Sequence, residues 1–307
     1  MNITLRQLEY VVVASRKGSI IGAAQALSMS TSSILAAIDR FEQEFGIQLF
    51  VRQRSKGLLT TAEGARAIAR TIRMLDEADA FVQDLRGGDD SLAGELRVGS
   101  FTSISPNIAP QIISALRACY PRMIAHISEG DILSIQECLR DGIVDILLTY
   151  DAGLWDEFDS LPLASAPPHV VLAANDPLAE KSRISLKDLS DSTLLLLNLP
   201  HSRNYVQSLF DRYGVRPGPI QRLESFEMVR SSAAAGLGAA ILNIRPLTDD
   251  TYGGMPVVCR PLVETEPVPN IVLATRRGNT LSRRTQAFAD FCKRFFVTET
   301  AERLFVR

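Results

Sequence analysis

At 307 residues the chain has room for two or more domains with complete cores. Its 46% hydrophobic and 22% charged composition, with a net charge of −2, describes an ordinary globular protein and excludes one that coats nucleic acid along its whole surface. The charge is unevenly spread: residues 52–73 hold six basic side chains and one acidic, whereas residues 87–307 hold 22 basic and 26 acidic, so one end is suited to face an anion and the other is not.

Leu5, Leu8, Val12 and Val13 recur at helical spacing up to Gly18. Ser19 then reads as an N-cap, and Ala23, Ala24 and Leu27 as the inner face of a second helix, small enough for a close crossing. Ser30 caps a third helix, in which Ile34, Ile38, Phe41 and Phe45 are expected to form one buried stripe ending at Gly46. Residues 48–51 and 57–60 are short extended runs around a basic loop. Two short helices, a tight turn and a basic hairpin together are the plan of a winged helix-turn-helix, which lays one helix in the major groove of DNA.

Residues 62–86 read as one long helix. Ile68, Ile72, Leu75, Val82 and Leu85 nearly make a heptad seam, with Asp79 breaking it. The plain reading is a surface helix packed on its own domain; pairing with a second copy fits the length better. Residues 86–95 are polar and turn-rich, a domain boundary. Beyond them the pattern alternates. Strands are expected at 96–99, 123–128 and 144–150 with helices at 108–120 and 133–141. A second set follows, with strands at 170–174, 194–198, 220–224 and 239–242 and helices at 202–213 and 226–235. The tail adds a strand at 270–275 and a helix at 282–296. This is an α/β pattern with mostly parallel sheets, in two lobes with a cleft between them. The four cysteines, Cys119, Cys138, Cys259 and Cys292, are far apart with no C-x-x-C pair and read as reduced, buried thiols. No signal peptide and no apolar run near the length of a membrane span is evident, so a cytoplasmic location is expected.

Leu5-Arg6-Gln7-Leu8, Gly18-Ser19, Ala23-Ala24 with Leu27, Ser30, Ile38, Glu42, Gly46, Leu49-Phe50 with Arg52, and Thr61-Ala62-Glu63-Gly64 stand at the spacing of the LysR-type transcriptional regulators, which the chain resembles over essentially its full length. Gly142-x-x-Asp145 and Ala235-Gly236-Leu237-Gly238 resemble that family's regulatory domain. The resemblance implies a winged helix-turn-helix (1–61), a dimerising linker helix (62–90) and an effector domain (91–307) like type II periplasmic binding proteins. Lobe I would span about 91–162 and 268–307, and lobe II about 163–267. It also implies double-stranded promoter DNA as a partner and self-association as a dimer or a homotetramer.

The expected DNA contacts are Ser30, Thr31, Ser32, Ser33, Leu35, Ala36 and Arg40 on the third helix, and Arg52, Arg54 and Lys56 on the wing. Where the family commonly has Ser and Arg or Lys, this chain has Leu35 and Ala36, so the face lacks a bidentate reader of purines. Either the hydroxyls of Thr31, Ser32 and Ser33 read bases while Leu35 and Ala36 touch thymine methyls, or specificity rests on the wing and on DNA shape. Ligands in a two-lobed α/β cleft meet strand C-termini and helix N-termini. That rule and the resemblance select Ser100, Thr102, Ser103, Pro200, His201, Ser202 and Phe226 for a small polar or anionic effector, with Phe101, Leu199 and Phe226 permitting an aromatic one. Glu129 and Asp131 are weaker candidates, and His126 and His169 read as structural. Gly236-Leu-Gly238 lacks the third glycine of a dinucleotide fingerprint. No catalytic or metal-binding spacing is present, and no cofactor or enzymatic activity is expected. A regulator is the first reading; the alternative is a solute carrier with an accessory helical head.

Overall fold

The computed structural model describes residues 3–53, 57–86 and 92–307. The head is built from α1 (Leu5–Lys17), α2 (Ile20–Leu27) and α3 (Thr31–Phe45), followed by the antiparallel hairpin β1 (Phe50–Gln53) and β2 (Gly57–Thr60). Each helix is started by a hydroxyl: Thr4 in a capping box with Gln7, Ser19 accepting from the Gly22 N–H, and Ser30 from the Ser33 N–H. Leu8, Val11, Ala23, Ile34, Ile38, Phe41 and Leu49 close the core. Phe45 does not join it. Its ring is exposed, packs on Phe41 at 4.6 Å between centroids and lines a groove between α3 and α4. Two contacts fix the hairpin. The Glu42 carboxylate accepts from the N–H groups of Leu49 (2.6 Å) and Phe50 (3.3 Å), and the Leu58 N–H donates to the Gly18 carbonyl at 2.9 Å. Gly57, at φ +76°, lies so close to that same carbonyl that no Cβ fits.

The linker is α4 (Ala62–Arg86), whose Gly64 N–H is capped by Thr61. Ile68, Ile72 and Leu75 pack on the head, whereas Met74, Phe81 and Val82 are exposed. The side chains at Asp79 and Leu85 lie outside the described residues.

The remainder folds as β3 (Gly94–Phe101), α5 (Ser105–Cys119), β4 (Met123–Gly130), α6 (Ile132–Asp141), β5 (Ile146–Tyr150), β6 (Phe158–Ser165), β7 (His169–Ala173), β8 (Leu194–Leu197), α7 (Pro200–Tyr213), β9 (Ile220–Leu223), α8 (Phe226–Ala234), β10 (Ala239–Leu242), β11 (Val257–Pro261), β12 (Asn270–Arg276), α9 (Arg283–Phe296) and α10 (Glu299–Glu302). The sheets run β4-β3-β5-β12-β6 and β11-β7-β10-β8-β9. In each, two strand pairings are parallel and two antiparallel, so four strands run one way and a single strand, β12 or β7, runs against them. The run Leu194–Leu197 is buried throughout because alternate leucines face different cores, Leu194 and Leu196 the α7 side, Leu195 and Leu197 the α8 side.

Strands β6 and β11 fall where no strand is expected from the sequence. Both are antiparallel edge strands, β6 is largely exposed, and each carries a proline, so neither shows a buried strand's pattern. Because β6 pairs with β12 as far as Ser165, the expected lobe changeover at 162/163 falls inside a strand, and the chain crosses at 166–168. The return crossing runs through 262–269, and the Ala166 N–H donates to the Pro269 carbonyl between the two crossings.

His169 on β7 is fully buried, with neither ring nitrogen hydrogen-bonded. Burial, reinforced by the charges of Arg245 and Arg230, pushes its pKa down from 6.5 to about 3.

Two outcomes follow from these contacts. Glu42→Ala removes a charged acceptor shared by two backbone donors and should lower stability by about 2–3 kcal/mol in denaturant unfolding, with a parallel loss of DNA affinity. His169 is neutral in the folded state, but its unfolded-state counterpart takes a proton as pH falls through 6.5. Stability is therefore present above that pH and is lost below it, by about 2 kcal/mol on going to pH 5. His169→Leu should flatten that part of the stability–pH curve; an unchanged slope would mean the ring is not buried neutral.

Candidate DNA interface and effector cavity

The N-terminus of α3 presents a knot of hydroxyls. Ser30 Oγ lies 2.8 Å from both Ser32 Oγ and Ser33 Oγ. Ser32, Ala36 and Arg40, four residues apart, are exposed along one face, with Thr31 exposed beside them. Ser33 and Leu35 are half-buried, so they contribute less to that face than the sequence suggests. Arg54, Lys56 and the side chain of Arg52 lie outside the described residues.

The second site is a cavity of about 60 Å³ between the two sheets. It collects the C-terminal tips of parallel strands and the N-terminal turns of helices. Phe101 closes β3 and Ser103 follows it; Tyr150 closes β5; Leu197 closes β8; Asn243 follows β10; Ile132, His201 and Phe226 open α6, α7 and α8. Ser103, His201, Ser202 and Phe226 are thus brought together as expected from the sequence. Ser100, Thr102 and Pro200 are not lining residues. Side chains alternate along β3, so with Phe101 facing the cavity Ser100 points into the opposite core, where its hydroxyl has no partner. Pro200 is the first residue of α7, two residues earlier than the expected start, because its fixed φ suits that position and its missing N–H costs nothing there. Asp131 caps α6 through the N–H groups of Leu133 and Ser134 and is spent on that role.

Tyr150, Tyr205 and Asn243 are the polar residues that sequence reasoning missed. Tyr150 was within reach of the strand-tip rule; Tyr205 sits one turn inside α7, and nothing in its spacing marks it. Burial pushes both phenols well above the usual range, against a hydrogen bond from Ser103 to Tyr150 and one from Asn243 to Tyr205. Asn243 Nδ2 also donates to the Ala166 carbonyl at 2.9 Å, tying the wall to the first crossing. Across the mouth, the His201 ring occupies the space a side chain on Gly153 would need. The Gly153 loop is held by buried Gln136, whose amide donates to the Gly153 carbonyl (3.1 Å) and accepts from the Trp155 N–H (2.7 Å). Among the described residues the cavity has no lysine, arginine or cysteine in its lining, and no cluster of side chains suited to a metal ion is found.

A head of this kind joined to a two-lobed α/β domain with an inter-lobe cavity defines an effector-responsive DNA-binding regulator. Family comparison agrees: residues 5–65 match the bacterial regulatory helix-turn-helix protein model of the lysR family, and residues 89–297 match the LysR substrate binding domain. The chain belongs to the LysR family of transcriptional regulators. It is 26% identical over 302 residues to the uncharacterized regulator YvbU of Bacillus subtilis, covering 97% of this chain and all of that one. It is 24% identical to the dual regulator OxyR of Escherichia coli, covering 94% of each. Among solved structures, HinK of Pseudomonas aeruginosa matches at 30% identity and a TM-score of 0.63, covering 96% of this chain and 99% of that one. A full-length OxyR variant from the same organism shares the fold at 24% identity and a TM-score of 0.75, covering 98% of this chain and all of the other. The carrier alternative is set aside: LysR regulators bind DNA and small-molecule effectors and form oligomers. No single helix among the described residues is long and apolar enough to cross a membrane.

Proposed function

We propose that this chain reads promoter DNA through α3 and the wing, and that a small aromatic monocarboxylate held between the lobes selects which geometry the DNA heads adopt. The cavity chemistry carries this reading. Phe101, Ile132, Phe226 and Ile241 supply apolar walls for a ring. The N-terminus of α7 has no side-chain cap, so its first N–H groups, with the Ser103 and Ser202 hydroxyls, suit one carboxylate. Without a lysine or arginine in the lining, a second charge would be buried at a cost of several kcal/mol.

A cavity of about 60 Å³ is smaller than the ~150 Å³ known to admit a benzene ring. Binding therefore requires the lobes to part, and the seat of His201 on Gly153 is the contact that must yield. An effector that favours the parted state shifts the population towards it, and through α4 shifts the heads. Exposed Met74, Phe81 and Val82 on α4 support pairing with a second copy into a dimer or tetramer. The assembly would act in the cytoplasm and catalyse no reaction. Several relatives are named hydrogen peroxide-inducible genes activators. A peroxide-sensing thiol is a weaker reading here: Cys292 is buried, burial pushes the Cys259 thiol up to about 11 and the Cys138 thiol upward too, and Cys119, exposed rather than buried as the sequence suggests, ends α5 outside the cavity lining, which holds no cysteine.

In a gel shift against the DNA upstream of its own gene, the wild type should keep a specific band at a salt concentration that abolishes binding to scrambled DNA. Ala36→Arg should re-rank a panel of promoter variants; an identical ranking would show that this face is not in the groove. Thermal denaturation with a panel of aromatic monocarboxylates should raise Tm for at least one member. Ser103→Ala and Ser202→Ala should each cut the affinity for it by about tenfold, the worth of one hydrogen bond to a charged group. If both variants keep the full ligand-induced rise, the ligand sits elsewhere.

A further inference from the structure

A second cleft, of about 590 Å³, separates the linker helix from the first lobe. Arg70 and Arg73 enter it from α4, Arg276 from the end of β12 and Arg284 from the first turn of α9, against two carboxylates, Asp76 and Asp145. Those carboxylates are already engaged. Asp76 Oδ2 lies 2.9 Å from the Arg97 guanidinium, and Asp145 accepts from the Arg97 N–H at 2.8 Å with its other oxygen 3.8 Å from that guanidinium. Arg73 lies over Gly142 at the C-terminus of α6, where a cation is favoured. Buried Arg284 donates to the Ala93 carbonyl at 3.2 Å. Arg70 and Arg276 form no ion pair with any described carboxylate. Arg276 is half-buried, and its charge is opposed by burial and then by the charge of Arg70.

Like charges gathered in a concave, partly dry space raise the energy of the empty cleft and lower that of an anion entering it. Guanidinium groups reach this cleft from three elements, and their paired N–H donors suit a tetrahedral oxyanion. We propose that this cleft is a binding site for a small phosphoryl-type dianion, separate from the inter-lobe cavity, and that its occupation clamps α4 to β12 and α9. The ligand bridges the linker helix and the effector domain, so it changes the angle between head and lobes without entering the effector cavity. The site is therefore a second input to the same DNA heads, and it stands whether or not the inter-lobe ligand is a monocarboxylate.

Isothermal titration of the full-length protein with inorganic phosphate, at constant ionic strength and without DNA, tests this. The expected result is saturable binding at one site per chain. Arg276→Gln and Arg70→Gln should each weaken it at least tenfold, and Arg117→Gln, an exposed arginine on α5, should leave it unchanged. Without phosphate, Arg276→Gln should unfold at a temperature no lower than the wild type, because the substitution relieves repulsion. Absence of saturable heat, or wild-type phosphate affinity in both variants, overturns the proposal. So does a result in which phosphate does not bind and the two variants instead lose DNA affinity with a shallower salt slope, which would assign the arginines to the DNA backbone.

Discussion

The junction around Arg97 is the contact on which the two functional ends depend. Its guanidinium, on β3 of the effector domain, reaches Asp76 of the linker helix at 2.9 Å, Glu95 at 3.2 Å and Asp145 at 3.8 Å, and Glu95 in turn takes Arg16 of the head at 3.3 Å. Burial works against the Arg97 charge, yet Asp76, Asp145 and Glu95 together hold its pKa above the ordinary value. Asp145 moves upward instead: burial outweighs its bonds to Arg97, and Asp76 repels it. The two shifts are compatible because one cation serves several acids. Such a junction is directional and partly dry, and it ties β3 to α4 at a fixed register, where a purely apolar contact would let the helix slide.

What β3 can report is set by the sheet architecture. The parallel strands aim their C-terminal tips at the space between the lobes, so Phe101 and Tyr150 line the cavity from one side while Leu197 and Asn243 line it from the other. Only two chain crossings join the lobes, and Asn243 is bonded to one of them. These crossings are the covalent ties about which one sheet could turn against the other. An effector that prefers one of the two arrangements changes DNA affinity to the extent that DNA also binds them differently, and the coupling is then reciprocal.

On the exposed face of α3 few side chains offer a bidentate pattern to bases. Its hydroxyls are partly engaged with one another, and Ala36 offers only a methyl. Groups of this kind favour docking and shape reading over base-by-base readout.

Local chemistry was legible in the residues themselves. Hydroxyl caps at Ser19 and Ser30, the stripe of Ile34, Ile38 and Phe41, and the apolar run 194–197 each depend on neighbours a few positions away, and the periodicities of helix and strand expose them directly. The strand-tip rule likewise placed Ser103, His201 and Phe226. Tertiary packing decided the rest. It turned Ser100 away from the cavity by strand alternation and left Phe45 beyond the edge of the head core. It paired the proline-bearing edge strands β6 and β11, and it carried Tyr205 and Asn243 to one wall. It also brought Arg70 and Arg276 to one cleft from segments some 200 residues apart. Those outcomes turn on which surfaces meet across long sequence separations, and no period within a single element encodes them.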